Sequence, residues 1–70
     1  MNFDQIKVDD VVERMIAGVI PMKLRVVEVT DDRIICGGGW EFSRRNGAEI
    51  DEGLGWNEER TGSYLTGRVG

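Results

Sequence analysis

The sequence contains no histidine, a single cysteine (Cys36) and a single proline (Pro21) among its 70 residues. The lone cysteine excludes a disulfide within the chain, and the missing histidine removes the commonest zinc ligand and general base. No apolar run approaches the roughly 20 residues that span a bilayer, and the start Met1–Asp4 lacks the basic and apolar segments of a signal peptide. We therefore expect no cofactor, no membrane contact and a cytoplasmic location.

The charge balance narrows the choice of partner. Nine basic and thirteen acidic residues give a net charge of −4, so nucleic acid is disfavoured as a partner. A domain of this size buries only roughly 60% of the surface that its unfolded chain exposes. With no disulfide or zinc site to add stability, a homo-oligomer is a reasonable expectation.

Alternation of apolar and polar residues predicts strands in the middle of the chain. Met22–Val26 alternates, and the adjacent pair Val26-Val27 then breaks the phase, which indicates a bulge or a stretch buried on both faces. A turn at Thr30–Asp32 leads to a second, β-branched strand at Arg33–Cys36. These two segments are predicted to form a hairpin.

The predicted β domain ends before the C-terminal part of the chain. The composition changes after Trp56 towards small polar residues and glycine, so we expect a β domain over residues 1–56 and a mobile tail over 57–70.

The secondary structure of residues 10–17 has two possible interpretations. Asp10 could cap a helix, with Glu13 three residues later and Gly18 closing it, or a strand could begin at Val11.

A second hairpin is predicted around Arg45-Asn46-Gly47, with Gly47 in the left-handed position of a three-residue loop. This register pairs Phe42 with Ile50. It keeps the aromatic side chains away from solvent, whereas a shift by one residue would expose them. One face then holds Trp40, Phe42, Ala48 and Ile50, and the opposite, solvated face holds Glu41, Glu49 and Asp51.

The order of short motifs resembles a group of short bacterial proteins of unknown function. The matching residues are Lys7-Val8-Asp9-Asp10-Val11-Val12, Gly18, Pro21-Met22, Val26, Cys36 and Trp40-Glu41-Phe42. The family has glycine where this chain has Asp9, and its cysteine lies closer to the tryptophan. The resemblance covers about residues 7–42 and implies a small SH3-like barrel, which favours a strand over 10–17, but it implies no activity.

The most unusual segment is the apolar stretch from Ile16 to Met22, which has a turn signal and a proline but almost no polar side chain. Such a loop either folds over the barrel as part of the core or is exposed as a contact surface. Aromatic residues further along the chain are candidates to extend it. The candidate interaction surface is Ile16, Val19, Ile20, Pro21, Met22, Trp56 and Tyr64.

Other candidate sites have simpler interpretations. Cys36 has no histidine to activate it and is predicted to be a buried structural residue. Gly37–Gly39 precedes a strand rather than a helix, which indicates a turn and not a phosphate loop. We therefore predict an all-β, SH3-like barrel of about five strands, with α+β as the alternative. The predicted function is a non-catalytic module that binds a protein partner or a second copy; a nucleic-acid binder and, less favoured, an enzyme are the alternatives.

Overall fold

The computed structural model describes residues 3–69, which fold into an antiparallel sheet of six strands. The strands are β1 (Val11–Ile16), β2 (Ile20–Val29), β3 (Arg33–Cys36), β4 (Trp40–Ser43), β5 (Glu49–Ile50) and β6 (Tyr64–Arg68). A short 3₁₀ helix (Glu52–Leu54) follows β5. The all-β, small-barrel class expected from the sequence is confirmed.

The longest strand, β2, is shared by the two halves of the curled sheet. The first half of β2 pairs with β1 and its second half with β3. The register shifts between Val26 and Glu28 and Val27 is 51% exposed, so of the two structures predicted there the bulge is the one that forms. The strand order is β5-β4-β3-β2-β1-β6. The two ends of this order meet: the Glu49 N–H donates to the Ser63 carbonyl (3.0 Å) and the Leu65 N–H to the Gly47 carbonyl (2.8 Å).

Within residues 10–17, for which the sequence left two possibilities, Val11–Ile16 form strand β1. Asp10 does not cap a helix; its side chain accepts a hydrogen bond from the preceding Lys7 N–H (2.9 Å) within a turn. Val12 and Arg14 point inward from β1, which is paired on both sides, by β2 and β6. The α+β alternative is therefore wrong, because an alternating segment between two strands satisfies its backbone in the sheet.

The prediction of a mobile tail from residue 57 is corrected by β6. This strand pairs with β1, and its Leu65 side chain is only 2% exposed within the core. A domain that ended at residue 56 would lack one of its six strands. The barrel therefore includes residues 57–69.

The register of β4 and β5 also differs from the prediction. Gly47 does adopt the left-handed conformation (φ 78°), but the loop is one residue longer than expected. Ser43 and Ala48 close it, through the Ser43 N–H and the Ala48 carbonyl at 2.7 Å. Phe42 consequently lies opposite Glu49, and Glu41 lies opposite Ile50. Glu49 is therefore inside the barrel, and the predicted solvated face of three carboxylates does not form.

The core lies between the two halves of the curled sheet. It is formed by the buried residues Phe3, Ile6, Val12, Leu24, Val26, Ile34, Cys36, Phe42 and Leu65. Trp40, half-buried, packs against this cluster from one end of the barrel. Within residues 3–69, no helix is long and apolar enough to cross a membrane.

Candidate functional site

The connection between β1 and β2 is a tight turn that carries apolar side chains away from the barrel. Ala17 and Gly18 both have positive φ angles, 55° and 73°, and the Val19 N–H donates to the Ile16 carbonyl (3.1 Å). Two successive residues of this conformation give a hairpin turn whose twist matches its strands. The turn is therefore defined by backbone geometry even though it lacks polar side chains.

This hairpin tip, residues 15–22, is uncharged, and it is exposed from residue 17 onward. The side chain of Val19 is 73% exposed, that of Ile20 56% and that of Met22 37%, while Ile16 is half-buried. The sequence allowed this segment either to fold over the barrel or to be exposed. A loop folded over the barrel would have buried these side chains. The tip instead presents them to the surroundings as a group.

The edge of β2 near the tip is poorly suited to pairing with another strand. In the described part of the chain, residues 20–24 pair with β1 alone, because β3 reaches only as far as the contact between Gly37 N–H and the Arg25 carbonyl (2.9 Å). Pro21 lies on this stretch and has no N–H to offer a new strand. A partner would therefore contact side chains rather than extend the sheet.

Next to the tip lies a groove of about 430 Å³ with aromatic walls. It is lined by Ile16, Ala17, Gly18, Trp56, Thr61, Gly62, Ser63 and Tyr64, none of which is charged. The indole of Trp56 lies directly on Gly62, where an added Cβ would be 2.0 Å from the ring. The groove and the tip share residues 16–18, so they form one continuous uncharged surface.

The far wall of the groove is a loop held by local hydrogen bonds. Asn46 Nδ2 donates to the Glu58 carbonyl (2.8 Å), and Arg45 pairs with the Glu58 carboxylate (2.8 Å). Within the loop, the Glu59 N–H donates to the Asn57 side chain (2.8 Å). The guanidinium of Arg60 stacks on the ring of Tyr64, 4.2 Å from its centroid. These contacts hold the groove in a defined shape.

Below the tip, a buried ion pair joins β1 to β5. Arg14 Nε is 2.8 Å from Glu49 Oε1, and the two side chains are 7% and 1% exposed. The same guanidinium lies over the ring of Trp40, 4.1 Å from its centroid, and Nη1 is 3.6 Å from Met22 Sδ. The base of the hairpin is thus attached to the barrel by a charged group with several partners.

Cys36 is buried among apolar side chains, as predicted. Burial raises the pKa of its thiol to about 11, and the negative charge of Glu49 adds to the effect. The thiol is therefore protonated at neutral pH, which is the unreactive form. The neighbouring glycines form a turn: Gly38 and Gly39 have positive φ angles, and the Gly39 N–H donates to the Cys36 carbonyl (3.1 Å).

A second cleft, of about 480 Å³, is lined by charged and polar residues, and its two arginines are engaged with groups of the chain. Arg44 donates from Nη1 to the Thr30 carbonyl and from Nη2 to the Asp4 carbonyl, both at 3.1 Å. Arg45, on its rim, pairs with Glu58. Within residues 3–69, no group of three or more cysteine or carboxylate side chains is placed to hold a metal ion.

The structure brings three of the seven residues of the candidate surface, Ile16, Trp56 and Tyr64, into the groove. The other four, Val19, Ile20, Pro21 and Met22, lie on the adjoining tip. Sequence reasoning missed the segment 61–63, because a short run of threonine, glycine and serine carries no apolar signal. Gly62 could have been noticed only as a residue small enough to receive an aromatic ring.

Comparison with known proteins adds no relative: no family model, no curated protein and no solved structure matches this chain.

Proposed function

We propose that the chain is a non-catalytic protein-interaction module whose binding surface is the hairpin tip together with the adjoining groove. The observation that carries the proposal is the grouping of Val19, Ile20 and Met22, exposed and apolar, beside an uncharged aromatic groove. Charged residues make up 31% of the chain, yet none occurs from Met15 to Met22. A contiguous apolar surface on a small domain is typical of a contact site.

The absence of charge limits the kind of partner. The residues of the tip and of the groove lining carry no charge that could pair with a strongly basic or acidic segment or with phosphate groups, and Arg60, beside the groove, is stacked on Tyr64. Nucleic acid is therefore the weaker alternative. Because Pro21 removes a backbone donor from the open edge of β2, we expect an apolar, uncharged protein segment that binds by side-chain packing.

The non-catalytic part of the proposal is supported by the chemistry of the buried groups. The Cys36 thiol has a raised pKa and is 1% exposed, which disfavours a role as a nucleophile. Glu49 is held by Arg14 inside the barrel and does not face a cleft. A free buried thiol also suits a reducing compartment, and on this ground we propose a cytoplasmic location.

The resemblance to short bacterial barrel proteins stays part of this proposal. It is supported by the motifs at residues 7–12 and 40–42, which lie in the turn before β1 and the start of β1, and in β4. It contributes a fold and a bacterial origin but no activity.

The proposal can be tested by selecting a phage-displayed library of short random peptides on the immobilised chain. Selected peptides should be rich in apolar residues, and their binding should shift the amide NMR signals of residues 15–20, 22 and 61–64. Val19→Asp should abolish this binding. Val27→Asp is the matched control, since Val27 is also exposed (51%) but lies at the β2 bulge. Peptides that shift signals elsewhere, or that bind Val19→Asp normally, would contradict the proposal.

A further inference from the structure

We infer that the occupant of this surface is a second copy of the chain, in a two-fold dimer where each hairpin tip lies in the partner's groove. The inference rests on the proposed function and names the partner of the same site. It is drawn from three properties of the surface: the adjacency of its convex and concave parts, its lack of charge, and its area.

Adjacency decides the symmetry. The groove is concave and the tip is convex, and they share residues 16–18 on one side of the molecule. A two-fold axis near this shared turn places each tip against the other copy's groove, so both copies bury the same surface and the assembly closes. Had the tip and the groove been on opposite sides, the same contact would have produced an open chain of molecules.

Charge favours contact at this surface over any other. Each copy has a net charge of −4, so two copies repel each other, and an uncharged contact surface adds no further contact between like charges. The tip and the groove are uncharged, whereas two other clefts are lined by carboxylates and arginines and a third contains Arg60. The side chains that would meet are Val19 and Ile20 from the tip and Trp56 and Tyr64 from the groove. Aliphatic and aromatic groups of this kind form the dry centre of an interface.

The available area sets the strength of the dimer. A standard interface buries roughly 800 Å² on each partner, which is about a fifth of this chain's 4367 Å². The tip from Ile16 onward and the groove together comprise twelve of the described residues, and some of these, such as Ser63, are already buried. The interface is therefore at the small end of the specific range, and the dimer should dissociate on dilution.

Sedimentation equilibrium of the full chain tests the inference. From about 10 µM to about 1 mM, a range that covers weak association, the average mass should rise from 7.9 kDa towards twice that value. Val19→Asp should weaken the dimer roughly tenfold or more, because the interface would bury an unpaired charge. Val27→Asp adds the same charge outside the surface and should dimerise like the unmodified chain.

The reciprocal arrangement is tested by disulfide cross-linking between two single variants, Val19→Cys and Thr61→Cys. Oxidation of their mixture should give the mixed dimer in excess over either homodimer, since the tip of one copy lies at the groove of the other. An excess of dimers linked through position 19 alone would overturn the arrangement, because the tips would then meet each other.

A chain that stays monomeric at the highest concentration would overturn the inference, as would equal weakening by Val19→Asp and Val27→Asp. If the monomeric chain still binds selected apolar peptides at the tip and groove, the partner is not a second copy of the chain, and the proposed function stands. If it binds neither itself nor such peptides there, the proposed function fails as well.

Discussion

Arg14 and Glu49 are ion-paired inside the barrel, with 2.8 Å between Nε and Oε1, although 35 residues separate them in the sequence. Arg14 lies on β1 and Glu49 on β5, so the pair joins two strands that are not neighbours in the sheet. Its guanidinium also covers Trp40 and contacts Met22 at the base of the hairpin tip. The pair therefore links the closure of the barrel to the position of the tip.

Removing one partner of this pair should be costly. Glu49→Ala leaves the Arg14 guanidinium buried without its carboxylate, and we expect a loss of about 3–5 kcal/mol in the free energy of unfolding. Replacing both residues, as Arg14→Met with Glu49→Leu, removes the charges together and should cost far less. Urea unfolding followed by tryptophan fluorescence measures both effects.

The exposed pair Arg45–Glu58 is the control, because its atoms are also 2.8 Å apart but its side chains are 75% and 45% exposed. Glu58→Ala should change the free energy of unfolding by no more than about 1 kcal/mol. A Glu49→Ala variant that was as stable as Glu58→Ala would show that the buried pair does not hold the barrel closed.

The position of Glu49 also shows where sequence reasoning reached its limit. Period-two alternation assigns a glutamate in a strand to the solvent side, and a loop shorter by one residue would have placed it there. The compensation for its burial is Arg14, a long-range contact that local pattern cannot reveal. By contrast, the bulge at Val26-Val27 was predictable, because a break in alternation is a local signal.

Strand β6 was missed for a different physical reason. The buried Ser63 lies just before it and the buried Gly67 within it, so Leu65 is the only large apolar side chain that it sends into the core. Such a strand looks like a polar linker. The hairpin tip could be predicted, since apolar residues beside a turn signal are visible in the sequence, but the groove depends on Trp56 resting on Gly62.

The contribution of β6 to stability can be measured with two leucines. Leu65 is 2% exposed and Leu54 is 60% exposed. Leu65→Ala should lower the free energy of unfolding by about 2–5 kcal/mol, because it removes buried surface and leaves a cavity. Leu54→Ala should change it by less than about 0.5 kcal/mol. Similar values for both variants in urea unfolding would mean that the segment 57–69 is not part of the cooperative unit.

The buried thiol should make stability depend on pH in the alkaline range. The pKa of Cys36 is raised from 9.0 to about 11, first by burial and then by the charge of Glu49. Between these values the unfolded chain has lost the thiol proton and the folded chain keeps it. The stabilisation is therefore fully present below pH 9 and is lost as the pH rises to about 11.

The comparison that isolates this effect is with Cys36→Ala. Across the window, the free energy of unfolding of the unmodified chain should fall more steeply than that of the variant, by about 1.4 kcal/mol per pH unit. Other groups titrate in the same range but are common to both chains, and the cavity left by the variant does not depend on pH. Parallel slopes in urea unfolding at several pH values would contradict the raised pKa.

Gly62→Ala should disturb the groove while leaving the hairpin tip intact. An added Cβ would be 2.0 Å from the indole of Trp56, so the ring must move, and we expect a loss of about 1–3 kcal/mol in the free energy of unfolding. Gly39→Ala is the control: Gly39 has a positive φ of 87° and open space around it, so that variant adds backbone strain without displacing a ring. The Trp56 side-chain NMR signal should shift in Gly62→Ala and stay in place in Gly39→Ala. If Gly62→Ala leaves that signal unchanged, the indole does not rest on Gly62 and the groove lacks the wall described above.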